Sequence, residues 1–146
     1  MVIPKKVNDY DSSILYTDDV LKRIYDYGKD HLNMQAMVYA SDHGEDMEYF
    51  HGDGKFTWEM VRIPLFVYLS DSYQKEYPET AKELALHKDD IFTNDLMYDL
   101  VCGILRAPNT GYDAKYDPTS PEFSFTKDQA TTRYGEIRIV DDPQLR

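Results

Sequence analysis

Residues 42–51 set an aspartate, a histidine, a glutamate and a second histidine within one short span. Asp42-His43-Gly44-Glu45 comes one serine after the apolar run "MVYA", and His51-Gly52 follows after five intervening residues. Carboxylate and imidazole are ligands for zinc, manganese and related divalent ions. Such an ion is a Lewis acid that polarises a bound group. Adjacent ligands suit a place where the chain turns, and Gly44 lets the backbone bend there. Taken alone, Asp42-His43-Gly44 reads better as a plain turn, with Asp42 as its cap and His43 hydrogen-bonding at the surface. Asp46, Glu48 and Asp53 read as solvated loop acids.

These groups need elements to hold them. "NMQAMVYA" reads as a strand centred on Met37, Val38 and Tyr39. Its apolar run without clean alternation suggests burial on both faces, as in a parallel sheet. "IPLFVYLS" is a second strand of the same kind, and residues 41–62 form the loop between them. Upstream, "NDYDSSILYTDDVLKRIYDYGKD" predicts a helix that starts at Asp11 or Ser12 and stops near Gly28. Ile14, Leu21, Ile24 and Tyr25 fall close to one of its faces. Downstream, "YPETAKELALHK" predicts a short helix with Pro78 in its first turn. "TNDLMYDLVCGILRAP" predicts a longer one, capped by Thr93 or Asn94 and ended by Pro108, with Leu96, Met97, Leu100, Val101, Ile104 and Leu105 as its apolar positions. Residues 109–128 look irregular, and "GEIRIV" alternates like an edge strand. The predicted architecture is α/β: a three-layer α/β/α sandwich on a mainly parallel sheet, with residues 1–146 in one domain.

Charge narrows the partners. Sixteen basic residues against 27 acidic ones give a net charge of −11. Phosphate-backbone binding needs clustered Lys and Arg, so nucleic acid is not an expected partner. An anionic membrane surface is disfavoured on the same ground. No apolar run approaches the roughly 18 residues of a membrane span. The start, "MVIPKKVNDYD", has no apolar core of a signal peptide. The single cysteine, Cys102, excludes an internal disulfide framework and reads as a small buried hydrophobe.

The full pattern is D-H-G-E, five residues, H-G, then K-F-T-W-E-M-V-R-I-P-L. It resembles the C-terminal metal-site segment of the sulfatase and phosphoethanolamine transferase group within the alkaline phosphatase superfamily. The matching residues are Asp42, His43, Gly44, Glu45, His51, Gly52, Lys55, Glu59, Arg62, Ile63, Pro64 and Leu65. The upstream helix, "FVYLSDSY" and "FTNDLMYDLVCGIL" resemble the phosphoethanolamine transferase branch, and the likeness runs over residues 8–105. The resemblance implies a metal-dependent transferase or hydrolase of phosphate or sulfate esters. Asp42 and His43 would bind the catalytic metal, zinc or manganese, or calcium in a true sulfatase. His51 would face a second metal or the substrate's phosphoryl oxygens. Lys55 stands where sulfatases place a lysine against the sulfate group, with a solvated loop lysine as the equal alternative. Glu45 and Glu59 would hold the loop or orient a histidine, and Arg62 is a partner available to either.

The resemblance also implies a nucleophile that these residues do not supply. In phosphoethanolamine transferases it is a threonine, and in sulfatases a cysteine or serine converted to formylglycine. Either lies in the N-terminal half of the domain, with a further acidic ligand from the first strand. Here Thr17 falls inside the predicted helix, and "CGILR" at Cys102 lacks the C-x-P-x-R context. The expectation is therefore the C-terminal part of a larger catalytic domain, inactive alone, partnered by the missing half or by a second copy. The alternative is a non-catalytic remnant or interaction module. The resembled transferases act at the outer face of the bacterial inner membrane.

Overall fold

The computed structural model describes residues 3–51, 54–107 and 109–145. Gly52 of the His-Gly pair, the loop acid Asp53 and the helix-ending Pro108 lie outside the described residues. The chain divides into two compact units, Met1–Tyr68 and Leu69–Arg146.

In the first unit, helix α1 spans Ile3–His31. It begins well before the expected cap at Asp11 or Ser12. The Ser12 hydroxyl donates to the Asn8 carbonyl at 2.7 Å, a bond of the helix interior. Lys5 and Asp9 pair across one turn at 2.7 Å and support the earlier start. Gly28 is still helical, but its carbonyl closes the helix by accepting from Leu32 and Met34 N–H at 3.1 and 3.0 Å. Asn33 follows with φ 49°, in the left-handed region that helix ends use. Leu21 and Tyr25 are half-buried, and the Tyr25 ring meets Tyr68 edge-on at 4.9 Å. Ile14 and Ile24, assigned to the same face, are exposed.

Strands β1 (Ala36–Ala40) and β2 (Leu65–Leu69) are neighbours, as the two apolar runs suggested. Their direction is a correction. Ser41 N–H, just past the end of β1, donates to the carbonyl of Pro64, just before the start of β2, at 3.3 Å. Tyr39 stacks on Phe66 at 5.3 Å. The end of one strand therefore meets the start of the other, and the pair is antiparallel. The connection explains it: between the strands lie only turns and a 3-10 turn, Trp58–Val61, with no helix to carry the chain back. No mainly parallel sheet and no three-layer sandwich is present among the described residues, whose two sheets have two strands each.

The second unit is helical. α2 (Asp71–Glu76) was not foreseen; the Ser70 hydroxyl caps it by accepting Tyr73 N–H at 3.0 Å. α3 (Pro78–Leu86) has its proline in the first turn, as read. A 3-10 turn, Asn94–Leu96, leads into α4 (Met97–Leu105). Leu96, Leu100, Cys102 and Ile104 are buried, and the Tyr73 hydroxyl donates to the Ile104 carbonyl at 2.6 Å. α4 ends on Arg106 in the left-handed region. Residues 109–128 hold only a 3-10 turn, Ala114–Tyr116. They are organised by Asp117, which is fully buried and accepts from Thr119 N–H, the Thr119 hydroxyl and the Tyr112 hydroxyl. The expected edge strand shrinks to β4 (Ile137–Arg138), antiparallel to β3 (Thr131–Thr132), because a 3-10 turn takes over at Ile139.

Candidate metal centre

The loop after β1 is pinned at its first turn. Gly44 N–H donates to the Met60 carbonyl at 2.8 Å. A side chain at position 44 would sit 2.5 Å from the Arg62 carbonyl oxygen and closer still to that of Glu59. Only glycine lets the two backbones approach so closely. Asp42 Oδ1 accepts His43 N–H at 3.1 Å, and the Ser41 hydroxyl donates to the His43 carbonyl at 2.7 Å. The backbone N–H and carbonyl of His43 are thus both held by neighbouring side chains.

Asp46 fixes the second half of the loop. It is not the solvated acid expected from the sequence. Its buried carboxylate accepts Glu48 and Tyr49 N–H at 2.7 and 2.8 Å, and its carbonyl accepts Phe50 N–H at 2.8 Å. The Tyr49 N–H and the Glu48 N–H hold its carboxyl below the usual range. Phe50 then adopts φ 54°, an outlier for a bulky residue, with the Lys6 ammonium 4.0 Å from its ring centre. His51 follows directly.

These restraints bring His43 and His51 together, with ring centres 4.4 Å apart and planes at 39°. His43 Nδ1 lies 2.8 Å from the Gly44 carbonyl oxygen. A carbonyl only accepts, so Nδ1 carries the proton and Nε2 keeps its lone pair. His51 Nδ1 lies 2.7 Å from Glu45 Oε2, so a carboxylate orients a histidine there, as the sequence position of Glu45 suggested. The imidazole of His51 is 57% exposed, while the Glu45 side chain is 15% exposed. Glu45 Oε1 is buried and has no hydrogen-bond partner among the described residues. One ligand atom from each of His43, Glu45 and His51 lies within 4.8 Å of the others.

Two imidazoles and a carboxylate are a donor set that fits a divalent cation. The other candidates have contacts of their own. Asp42 adjoins this trio but is not within the group. The Lys55 ammonium rests 3.9 Å from the centre of the Tyr49 ring. Glu59 and Arg62 contribute their carbonyls against Gly44.

The sulfatase family model matches residues 4–100, which contain the whole loop. The chain belongs to the sulfatase family. Within it, the chain is similar to phosphoethanolamine transferases. It is 30% identical over 117 residues to the Kdo(2)-lipid A phosphoethanolamine 7''-transferase of Salmonella typhimurium, covering 72% of this chain and 20% of the relative. It is 25% identical over 127 residues to the phosphoethanolamine transferase EptA of the same organism, covering 79% and 23%. The putative transferase YhbX of Escherichia coli K12 is 31% identical over 142 residues, covering 90% and 22%. This family member thus spans about a fifth of the length of the curated relatives it matches. No solved structure matches it significantly. Among the described residues no helix is long and apolar enough to cross a membrane.

Proposed function

We propose that this chain is the metal-site portion of a phosphoethanolamine transferase of the sulfatase family, acting on phosphate esters. The supporting observation is the His43–His51 pair, two imidazoles 4.4 Å apart with both Nδ1 atoms committed to protein acceptors. Each Nε2 is left to a cation or a phosphoryl oxygen. Asp42, beside His43, adds a carboxylate to the same ion. When bound, zinc or manganese supplies Lewis acidity to the phosphoryl oxygens. In this reading the chain's own residues bind and orient. Glu45 fixes the tautomer of His51, and Lys55 moves from the Tyr49 ring to the anionic ester.

The nucleophile comes from elsewhere in the complete domain. The Thr17 hydroxyl is engaged with the Ser13 carbonyl at 2.9 Å, and Cys102 is buried. The donor is a phosphoethanolamine ester, in keeping with the names of the relatives. The test is calorimetric titration of the full chain with zinc and with manganese. Binding that is weakened by Asp42→Ala and by His43→Ala supports the assignment. Affinity unchanged in both variants overturns it, and no uptake by the parent chain favours the non-catalytic alternative.

A further inference from the structure

We propose that an exposed apolar stripe on α1 is a docking surface for a second copy of this chain, with the two helices antiparallel across a two-fold axis. The inference is independent of the metal loop.

Three observations carry it. First, Tyr16, Val20, Ile24 and Tyr27 recur along α1 at i, i+4, i+8 and i+11, the spacing of a face that packs on another helix. Helical geometry turns this face away from the one that carries Leu21 and Tyr25, whose ring meets Tyr68. Tyr16, Ile24 and Tyr27 are each more than half exposed, as is Leu32 just past the end of the helix. Second, the C-terminal half of the stripe is hollow. Val20, Ile24, Tyr27, Leu32 and Met34 line an open groove of about 830 Å³. Gly28 lets Met34 fold back against the helix, since a Cβ there would lie 2.8 Å from the Met34 sulfur. Third, Arg23 and Asp19 stand exposed along one edge of the stripe, loosely paired at 3.9 Å.

A two-fold axis joins these features. An antiparallel partner registered between residues 21 and 22 sets Tyr16 of each copy beside Tyr27 of the other, at the mouth of the groove. The protruding ring and the groove that receives it lie on one surface, as an isologous contact requires. The same register brings Arg23 of each copy to Asp19 of the other, so the charges along that edge are complementary. Large side chains bury about 150–250 Å² each when fully covered, so Tyr16, Ile24, Tyr27 and Leu32 would remove roughly 500 Å² from water on each copy. Doubled across the axis this is about 1,000 Å², the lower bound for a specific interface. The dimer is therefore weak and reversible.

The experiment is sedimentation equilibrium of the full chain from about 10 μM to 1 mM, in roughly 0.15 M salt to screen the net charge of −11. A monomer–dimer equilibrium is expected. Tyr16→Asp and Ile24→Asp weaken it at least about 10-fold, because each places a charge within the apolar contact. Leu15→Asp, exposed on the same helix but off the stripe, leaves it unchanged. In a Cys102→Ala background, Tyr16→Cys combined with Tyr27→Cys oxidises to a covalent dimer, and Leu15→Cys does not. The two new cysteines stand about three helical turns apart, roughly 16 Å, too far to bridge within one copy. This crosslink decides the question if the Asp variants fail to fold by circular dichroism. A parent that stays monomeric throughout overturns the inference and leaves the stripe to another occupant. So does a dimer that tolerates both Asp variants on the stripe, or one that Leu15→Asp disrupts equally.

Discussion

A single backbone hydrogen bond, from Gly44 N–H to the Met60 carbonyl at 2.8 Å, ties the histidine loop to the 3-10 turn Trp58–Val61. Two distant stretches of the motif, D-H-G-E and W-E-M-V-R-I-P-L, are thus one structural device. The second stretch supplies the floor on which the first turns.

Gly44→Ala should therefore damage both stability and site. The new methyl would collide with the Glu59 and Arg62 carbonyl oxygens, which are backbone and cannot swing aside. A cost of about 1–3 kcal/mol is expected in denaturant unfolding. Metal affinity should fall with it, because His43 is displaced. Unfolding indistinguishable from that of the parent would show that the loop is not docked on this turn.

Asp46 makes the loop sensitive to acid. Its carboxyl is held below the ordinary value of 3.8 by the Tyr49 and Glu48 N–H groups. Between the lowered and the ordinary value the unfolded chain binds more protons than the folded one, so stability rises with pH there. The contribution is complete above the ordinary value and is lost as pH falls through the lowered one. The Glu48 and Tyr49 amide resonances should move in that acid window. Asp46→Ala should remove the transition and loosen His51 at neutral pH.

Tyr73→Phe tests the helical unit. The ring keeps its edge contact with Tyr77 at 5.0 Å, but the Ile104 carbonyl loses its 2.6 Å donor. That carbonyl lies in the last turn of α4, where no helical N–H replaces the lost partner. A loss of about 1–3 kcal/mol is expected by thermal or denaturant unfolding.

The chain by itself should not turn over p-nitrophenyl phosphate, p-nitrophenyl sulfate or a fluorescent phosphatidylethanolamine, with zinc or manganese added. Removing the nucleophile from a coupled catalytic unit costs on the order of 10⁶ in rate. Turnover above the metal-only background, abolished by His43→Ala, would reveal a nucleophile within these residues.

Much of the site was legible because its residues are close in sequence. The sequence singled out Asp42, His43 and His51 as ligands. The two histidines lie together with Glu45, read as a loop-holding or orienting acid, beside them, whereas Asp42 is not in that group. The short helix at Pro78 and the apolar face around Leu96, Leu100 and Ile104 were equally plain, since periodicity and turn residues are local signals. Strand direction was not. An unbroken apolar run such as "AMVYA" reads alike in parallel and antiparallel pairs, and the Ser41–Pro64 bond that decides it is tertiary. The start of α1 was missed for a related reason. Asp11 and Ser12 are good caps in isolation, but here the Ser12 hydroxyl turns back to Asn8. Asp46 was taken for one more acid among many, because its burial depends on how residues 47–50 fold over it.

The closeness of His43 and His51 along the chain has a thermodynamic consequence. A loop this short closes at small entropic cost even in a disordered chain. The unfolded ensemble therefore competes for the ion that the two histidines would bind. An ion that binds both states stabilises the fold by less than its affinity for the native state alone would give. Saturating zinc should then raise the melting temperature by less than the measured dissociation constant implies, and the shortfall reports how much of the site the unfolded chain can assemble unaided.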